Sequence, residues 1–296
     1  MTMAVSEAQL ETWSHQGSET QSAATYETIC NALNDASSPF YPKKFEIFLQ
    51  GSYGNKTNIY ADSDVDVVIR LDSVYYSDTS NLPAPDKGNF DQGFSKSAYQ
   101  LSDFKREVFE WLSLRFGKDV KLGKKAIRIP GNGTRRDADV LACATHRTYF
   151  SYPTFGQPDT REGVIFWTTD GEEIINYPKQ HLANCTTKHQ SSNQLFKRNV
   201  RVFKNIRNKM IEDGLISKGL APSYFLEGLL WNVPNQLFQL PYGTSVSNAI
   251  QFILNGDRSH FTCANGYHWL LRDGHSVCWA PASYEVFMYQ LRKFWA

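Results

Sequence analysis

The sequence contains few cysteines and no excess of either charge. Its five cysteines, spread over 296 residues, include no CxxC pair, and their odd number and wide spacing are not those of a secreted disulfide framework. With 31 Lys and Arg against 30 Asp and Glu, the chain lacks the positive charge of proteins that bind nucleic acid mainly through phosphate contacts. We therefore expect a reducing, cytoplasmic environment and no strong binding of nucleic acid.

Long hydrophobic runs and repeats are also missing. The amino terminus, MTMAVSEAQLETWSHQGSE, lacks the charged head and apolar run of a signal peptide. No later segment has the roughly 20 consecutive apolar residues that a membrane-spanning helix needs. We expect a soluble protein without a membrane partner, large enough for two packed lobes.

Residues 18–177 have patterns typical of a mixed sheet with flanking helices. Ser18 and Gln21 stand at the spacing of a capping box, which predicts a helix running to Asn34. Residues 74–95 contain two prolines and two glycines without any period, which predicts a long surface loop. The expected strands are 44–49, 64–71, 125–130, 137–144, 163–167 and 173–175, and a further helix is expected over 101–116.

The pattern becomes helical after residue 177. Apolar residues there recur at the spacing of amphipathic helices. We therefore predict an α+β protein with a sheet-rich region at 1–177 and a helical lobe at 178–296. The expected helices are 194–212, 223–231, 244–254 and 283–295.

Two carboxylates stand two residues apart in a predicted strand. Side chains alternate along a strand, so Asp64 and Asp66 point to one face while Val65 points to the other. Two neighbouring carboxylates repel each other unless a cation lies between them, and Mg²⁺ prefers oxygen ligands. A third carboxylate from another strand, Asp139, would complete a two-metal site of the kind that catalyses phosphoryl or nucleotidyl transfer.

A glycine-containing turn precedes this pair along the chain. Gly51-Ser52 follows the first predicted strand. Such a turn can present backbone N–H groups and a hydroxyl to the phosphates of a nucleotide.

These motifs together resemble the polymerase-beta-like nucleotidyltransferases. The resemblance lies in Gly51-Ser52, in Asp64-Val-Asp66 twelve residues later, and in Asp139-Val-Leu on a later strand. Within that superfamily, Gly51–Asn58 and the following Ser63–Val68 resemble the bacterial CD-NTases, relatives of cyclic GMP-AMP synthase and the oligoadenylate synthases.

The resemblance implies a fold and an activity. The fold is a nucleotidyltransferase lobe with a mixed sheet, followed by a helical lobe, with the active site in the cleft between them. The activity is synthesis of a cyclic di- or trinucleotide from ribonucleoside triphosphates, with release of pyrophosphate, in antiphage defence of the CBASS type. It further implies two Mg²⁺ ions, for which Mn²⁺ can substitute, and substrates that are ATP or GTP, with pyrimidine nucleotides also open. A monomer and regulator proteins from the same operon are implied as well.

A basic helix in the second half carries part of the resemblance. Lys197, Arg201 and Lys204 share one face at spacings of four and three residues. In the family, a lysine on this helix contacts the triphosphate, and the matching residue here is Lys204. Considered alone, the same charges are also typical of an ordinary solvated helix face.

The resemblance also implies the remaining site residues. Pro222–Glu227 resembles the family segment whose serine contacts the phosphates and whose tyrosine stacks on the donor base. The matching residues, Ser223 and Tyr224, could instead cap a helix and fill a gap in the packing. The implied catalytic and metal-binding set is Asp64, Asp66 and Asp139, and the nucleotide-binding set is Gln50, Gly51, Ser52, Lys204, Ser223 and Tyr224.

Two nearby aspartates are left out of this set. Asp62 precedes Asp64 in a region that reads as a turn. Asp137 has the same parity as Asp139 but adjoins Arg135-Arg136 at a turn, where a solvated ion pair is expected. Neither is assigned to the metal site.

Three alternatives stay open. His260, Cys263, His275 and Cys278 have a spacing that could bind zinc, although buried cysteines and histidines are more common in a core. A transferase of the same fold could modify another acceptor, such as RNA, a small molecule or a protein. A non-catalytic nucleotide-binding module is the third, but such a module would have no physical need for clustered carboxylates.

Overall fold

Two compact units make up the chain. The computed structural model describes residues 5–17, 19–60, 64–93 and 97–296. The sheet unit comprises residues 20–50 and 63–178, and the helical unit comprises residues 1–19, 51–62 and 179–296. Residues 1–19 and 51–62, which we expected with the sheet, thus group with the helices.

A mixed sheet forms the centre of the sheet unit. The strand order is β1-β2-β5-β4-β3, and β6 pairs with β5 and β7. The β2–β5 pair is parallel, and the other pairs are antiparallel. In the described residues the strands are β1 Phe45–Leu49, β2 Val65–Asp78, β3 Lys121–Leu122, β4 Ile127–Ile129, β5 Ala138–Ser151, β6 Asp159–Trp167 and β7 Glu173–Asn176.

Helices cover one face of this sheet. Val65, Val67 and Ile69 on β2 are buried in one apolar core with residues of two helices, such as Leu33 and Phe104. Because side chains alternate along a strand, the opposite face is left for Asp66. The helices of this unit are α2 Thr20–Leu33, α4 Ala84–Gln92 and α5 Leu101–Phe116.

The predicted loop at 74–95 is wrong in two places. Strand β2 continues to Asp78, because its pairing with β5 resumes at Tyr75 after an irregularity that follows Leu71. That irregularity interrupts the two-residue alternation from which a strand is recognised. Helix α4 then begins after Pro83, a residue compatible with a helix start. Ser18, predicted to cap the helix at 20–33, lies outside the described residues.

The helical unit packs around a second apolar core. Phe203, Leu226, Val246 and Phe287 are fully buried in it. Its α-helices in the described residues are α1 Glu7–Ser14, α3 Gly51–Gly54, α6 Pro178–Ser191, α7 Phe196–Glu212, α8 Ser223–Trp231, α9 Tyr242–Asn255 and α10 Pro281–Trp295. The four helices expected after residue 194 are confirmed, whereas α1 and α6 were not predicted. Across the described part of the chain, no helix combines the length and the hydropathy that crossing a bilayer requires.

Candidate active site

Strand pairing brings the predicted aspartates together on the sheet. Asp66 on β2 and Asp139 on β5 are direct partners in the parallel pair, and neighbouring strands are separated by about 4.8 Å. Asp64, just before β2, has the same parity as Asp66, and Val65 between them is completely buried on the other face. The three carboxylates therefore belong to one face of the sheet.

The electrostatics of Asp139 show that this cluster is crowded with negative charge. Burial and the neighbouring Asp64 carboxylate raise the pKa of Asp139 above its ordinary value. A divalent cation bound between these carboxylates would remove the repulsion. Three carboxylates on one face also match the oxygen ligands that Mg²⁺ prefers, so the residues fit a divalent metal.

Asp137 is used differently, as the sequence suggested. Its carboxylate accepts a hydrogen bond from the Gly131 N–H at 2.6 Å and pairs with Arg128 at 3.0 Å. These interactions lower its pKa. Asp137 therefore stabilises the turn between β4 and β5, and its partner is Arg128 rather than the adjacent Arg135 or Arg136.

A short turn of helix carries the predicted Gly-Ser motif in the helical unit. Gly51 has a φ of +66°, a left-handed conformation that favours glycine. Helix α3 follows, and the Thr57 N–H donates to the Ser52 carbonyl at 2.9 Å, which closes the segment on itself. We call residues 51–58 the Gly-Ser segment.

Glu227 on α8 holds the Gly-Ser segment from within the helical unit. Its carboxylate accepts hydrogen bonds from Thr57 Oγ1 at 2.5 Å and from Asn55 Nδ2 at 2.9 Å. His181 Nε2 lies 2.6 Å from the same carboxylate, and both side chains are almost fully buried. A buried carboxylate needs such partners to offset its desolvation.

The charge states of this buried pair follow from their contact. Burial alone would lower the pKa of His181, but interactions with Cys185 and Glu227 raise it to about 10. Burial alone would raise the pKa of Glu227, but its hydrogen bond and charge interaction with His181 lower it. At neutral pH the pair therefore consists of an imidazolium and a carboxylate.

The predicted phosphate ligand Lys204 is placed beneath the same segment. Its side chain is fully buried, and its Nζ donates to the Thr57 carbonyl at 2.9 Å. Lys197 and Arg201 on the same helix face are also buried, and Arg201 donates to the carbonyls of Ser14 and Lys56. The interpretation of this basic face as an ordinary solvated surface is therefore wrong.

Ser223 and Tyr224 lie at the start of α8. Ser223 is the first helical residue and Pro222 occupies the cap position, so Ser223 is not the helix cap. The amino terminus of a helix is a favourable position for binding phosphate. The Tyr224 ring stacks on His181 at a centroid distance of 5.2 Å, and its hydroxyl accepts a hydrogen bond from Asn265.

Gln50 is the last residue of the first stretch of the sheet unit and precedes Gly51. Its backbone N–H donates to the Asp66 carbonyl at 3.0 Å. Its buried side-chain oxygen has no hydrogen-bond partner within the described residues.

The proposed zinc quartet is not assembled. His260 is mostly exposed and lies 3.5 Å from Asp257, while the buried Cys263 thiol donates to the carbonyls of Trp269 and Val277. In the described ranges, the side chains grouped closely enough to hold a metal are instead His181, Cys185 and Glu227. Glu227 of this group also accepts the hydrogen bonds from Asn55 and Thr57 that hold the Gly-Ser segment.

The sequence did not reveal Asn55, Thr57, His181 or Glu227 as part of the site. The segments that contain Asn55, Thr57 and Glu227 resemble the family, and that of His181 carries no such motif. Nothing in a single sequence distinguishes a buried glutamate from an exposed one. Glu227 and Thr57 are separated by 170 residues, so only the folded structure brings them together.

Comparison with known proteins identifies the family of the chain. A family model, the cGAS/DncV-like nucleotidyltransferase C-terminal helical domain, matches residues 183–296. The cyclic UMP-AMP synthase of Rhodothermus marinus is 40% identical over 267 residues, covering 89% of this chain and 88% of that protein. The cyclic nucleotide synthase CdnE01 of Staphylococcus haemolyticus is 34% identical over 305 residues, and this alignment covers 99% of this chain and 99% of that protein.

A solved structure extends the similarity to the fold. The Rhodothermus marinus CdnE c-UMP-AMP synthase, with Apcpp and Upnpp, aligns with a TM-score of 0.87 at 38% identity and covers 98% of this chain and 96% of that chain. This match confirms the predicted α+β nucleotidyltransferase fold. The chain belongs to the CD-NTase family of nucleotidyltransferases, whose members generally use a divalent metal ion.

Proposed function

We propose that this enzyme joins two ribonucleoside triphosphates into a cyclic dinucleotide, with Asp64, Asp66 and Asp139 as its metal-binding residues. The observation that carries the proposal is the direct pairing of Asp66 with Asp139 across β2 and β5. The raised pKa of Asp139 supports it, because burial and the neighbouring Asp64 carboxylate both disfavour its negative charge, and a bound cation would offset both effects. Antiphage defence of the CBASS type, the role of the family, would be served by such a product.

The Gly-Ser segment and the start of α8 are proposed to bind the donor nucleotide. Ser52 follows a glycine in a left-handed conformation, and Ser223 stands at a helix amino terminus that suits phosphate. Tyr224 offers an aromatic face for the base. Lys204 supplies a fixed positive charge beneath the segment through its bond to Thr57, and the unpaired oxygen of Gln50 is a further ligand contact.

The reaction is proposed to proceed by in-line displacement. Two Mg²⁺ ions, or Mn²⁺ in their place, would lower the barrier by neutralising charge on the attacking and leaving oxygens. A ribose hydroxyl of the acceptor loses its proton to water, and its oxygen attacks the donor's α-phosphate. An O–P bond forms as the bond to pyrophosphate breaks, and a second round on the linear intermediate closes the ring.

The substrate pair is proposed from the product of one relative. The Rhodothermus marinus protein, at 40% identity, is a cyclic UMP-AMP synthase, which favours ATP and UTP as the pair to test before ATP and GTP. We propose further that the chain acts as a monomer and is controlled by proteins of its own operon.

The test is incubation of the purified protein with all four labelled ribonucleoside triphosphates and Mg²⁺ or Mn²⁺, followed by phosphatase and mass spectrometry. We expect a phosphatase-resistant cyclic product that Asp64→Ala/Asp66→Ala does not form. Asp159→Asn, an exposed aspartate at the start of β6, is the matched control and should form it normally. Transfer of nucleotides only to an added acceptor would contradict the proposal.

A further inference from the structure

The helical unit contains a second basic site, which the proposed catalytic mechanism does not use. A cavity of about 490 Å³ lies among α6, α7 and the end of α3, within the size range of small-molecule pockets. In the described part of the chain, its wall contains four lysine or arginine side chains and no carboxylate. The lining residues are Gln16, Gly54, Lys56, Leu182, Thr186, His189, Gln190, Gln194, Lys197, Arg198 and Arg201.

The cations of this cavity are not neutralised by carboxylates. Among the described residues, Lys56, Lys197, Arg198 and Arg201 form no ion pair with an acidic side chain; Arg201 instead donates to backbone carbonyls and Lys197 to the Thr186 hydroxyl. The carboxylates that act on them from nearby are the exposed Glu19, on Arg201, and the buried Glu227, on Lys197. Glu227 is already matched by His181, so the cavity retains an excess of positive charge.

His189 adds a neutral donor to the same wall. Its Nδ1 accepts a hydrogen bond from the Lys197 backbone N–H at 3.2 Å, which places the ring proton on Nε2. Burial and the charges of Lys197, Arg201 and Arg198 lower its pKa to about 4. The imidazole is therefore uncharged at neutral pH and can donate a hydrogen bond through Nε2.

We propose that this cavity binds a phosphate-bearing ligand of about nucleotide size at a site separate from the substrate site. The cavity is lined by Gly54 and Lys56 of the Gly-Ser segment, but by none of the predicted nucleotide-binding residues of the helical unit. Lysine and arginine donors are the groups that recognise phosphate oxygens.

A compact ligand is favoured over a nucleic-acid backbone. Lys197 and Arg201 are only 5% and 7% exposed, whereas side chains that contact the phosphates of a duplex reach out from the surface. The near-zero net charge of the chain also provides little long-range attraction for a polymer.

The ligand would also act on the Gly-Ser segment, a consequence that rests on the proposed function. Arg201 donates to the Lys56 carbonyl at 2.7 Å, and Lys204 donates to the next carbonyl, that of Thr57, at 2.9 Å. Lys56 itself has a φ of +55°, unusual for a residue other than glycine. A phosphate bound by Lys56 and Arg201 would therefore change the position of the segment that carries Ser52.

The test uses inorganic tripolyphosphate as the probe, without divalent ions, and reads the site through the His189 ring signals in histidine-labelled protein by NMR. His189→Gln assigns those signals. We expect saturable shifts in the wild type, and about a tenfold or greater loss of affinity in Lys56→Gln/Arg198→Gln. Lys209→Gln/Lys218→Gln removes two exposed charges of the same unit and should bind like the wild type.

Three results would overturn the proposal. The first is an absence of His189 shifts at saturating tripolyphosphate, and the second is an unchanged affinity in Lys56→Gln/Arg198→Gln. The third is displacement of the probe by a labelled RNA duplex whose binding falls steeply with salt, because that outcome identifies a polymer site. Neither readout requires catalysis, so a protein that binds tripolyphosphate but makes no cyclic product would refute only the proposed function.

Discussion

Asp139 faces Asp66 across the parallel pair of strands, and its substitution is the more informative test of the metal site. Asp139→Asn keeps the size of the side chain and removes the charge that would hold a cation. We expect cyclic product formation to fall about a thousandfold, on the order of 4 kcal/mol in the barrier. Initial rates with saturating nucleotides and Mg²⁺ provide the measurement.

The same assay has a matched control in the same sheet. Asp159→Asn changes an exposed aspartate in β6 and should leave the rate within about twofold, as is usual for surface changes. A retained rate in Asp139→Asn would remove this residue from the metal site.

Glu227 is expected to matter through the segment that it holds. Glu227→Gln leaves the His181 imidazolium buried without its counter-charge, and breaking a buried ion pair costs roughly 3–5 kcal/mol. Urea unfolding should show a loss of this size. Glu285→Gln, whose partner Arg258 is partly exposed, should change stability by less than about 1 kcal/mol.

The effect of Glu227 on activity separates positioning from folding. At a temperature where the variant is still folded, Glu227→Gln should lower kcat, because the Gly-Ser segment has lost an anchor at Asn55 and Thr57. Full kcat in a folded variant would mean that Glu227 serves stability alone.

At the scale of the element, the junction of α6 and α8 makes stability depend on pH. The pKa of His181 is about 10 in the folded chain against an ordinary 6.5, so the folded state binds its proton more tightly. The stabilisation is complete below pH 6.5 and is lost as the pH rises to 10. The lowered pKa of Glu227 acts in the opposite direction, since its contribution is lost in acid.

Urea midpoints measured from pH 6.5 to 10 test this dependence. The free energy of unfolding should fall more steeply in the wild type than in His181→Gln, which lacks the titrating group. His260→Gln, an exposed histidine, should follow the wild type. Parallel curves for the wild type and His181→Gln would contradict a raised pKa at this position.

Elements with a strong period were predictable from the sequence, and those without one were not. Helix α5 matches its predicted bounds at 101–116 because its apolar residues recur regularly and Gly117 ends it. In helix α6 only His181 and Cys185 are buried, so its sequence has no apolar stripe from which the helix could be predicted. Strand β2 was predicted too short because the irregularity after Leu71 breaks its alternation.

The candidate site divides in the same way. The shared face of Asp64 and Asp66 follows from strand alternation, which is a property of the backbone itself. The partner of Lys204 could not be foreseen, because Thr57 is 147 residues away along the chain. Contacts of this kind depend on tertiary packing.

At the scale of the whole molecule, the helical unit is built from three separate stretches of chain. A fragment of residues 179–296 would contain Glu227, Lys204 and Arg201 but would lack their partners at residues 14 and 55–57. We expect this fragment to lose cooperative thermal unfolding, because buried charges without partners are strongly destabilising. Circular dichroism of the fragment beside the full chain gives the comparison.

A second fragment provides the control. Residues 5–17 and 51–60, joined to 179–296 by flexible linkers, restore these partners and should recover a cooperative transition. Equal and cooperative unfolding of both fragments would show that the missing stretches contribute little.

The separation of Thr57 from Glu227 also has a consequence for synthesis on the ribosome. The two residues are 170 positions apart, so at about 5–20 residues per second the Gly-Ser segment waits roughly 10–30 s for its anchor to be made. During that interval Asn55 and Thr57 lack their hydrogen bonds to Glu227. A chain released before α8 is made would therefore lack an ordered phosphate site. Interrupted translation would then yield a protein that makes no cyclic nucleotide.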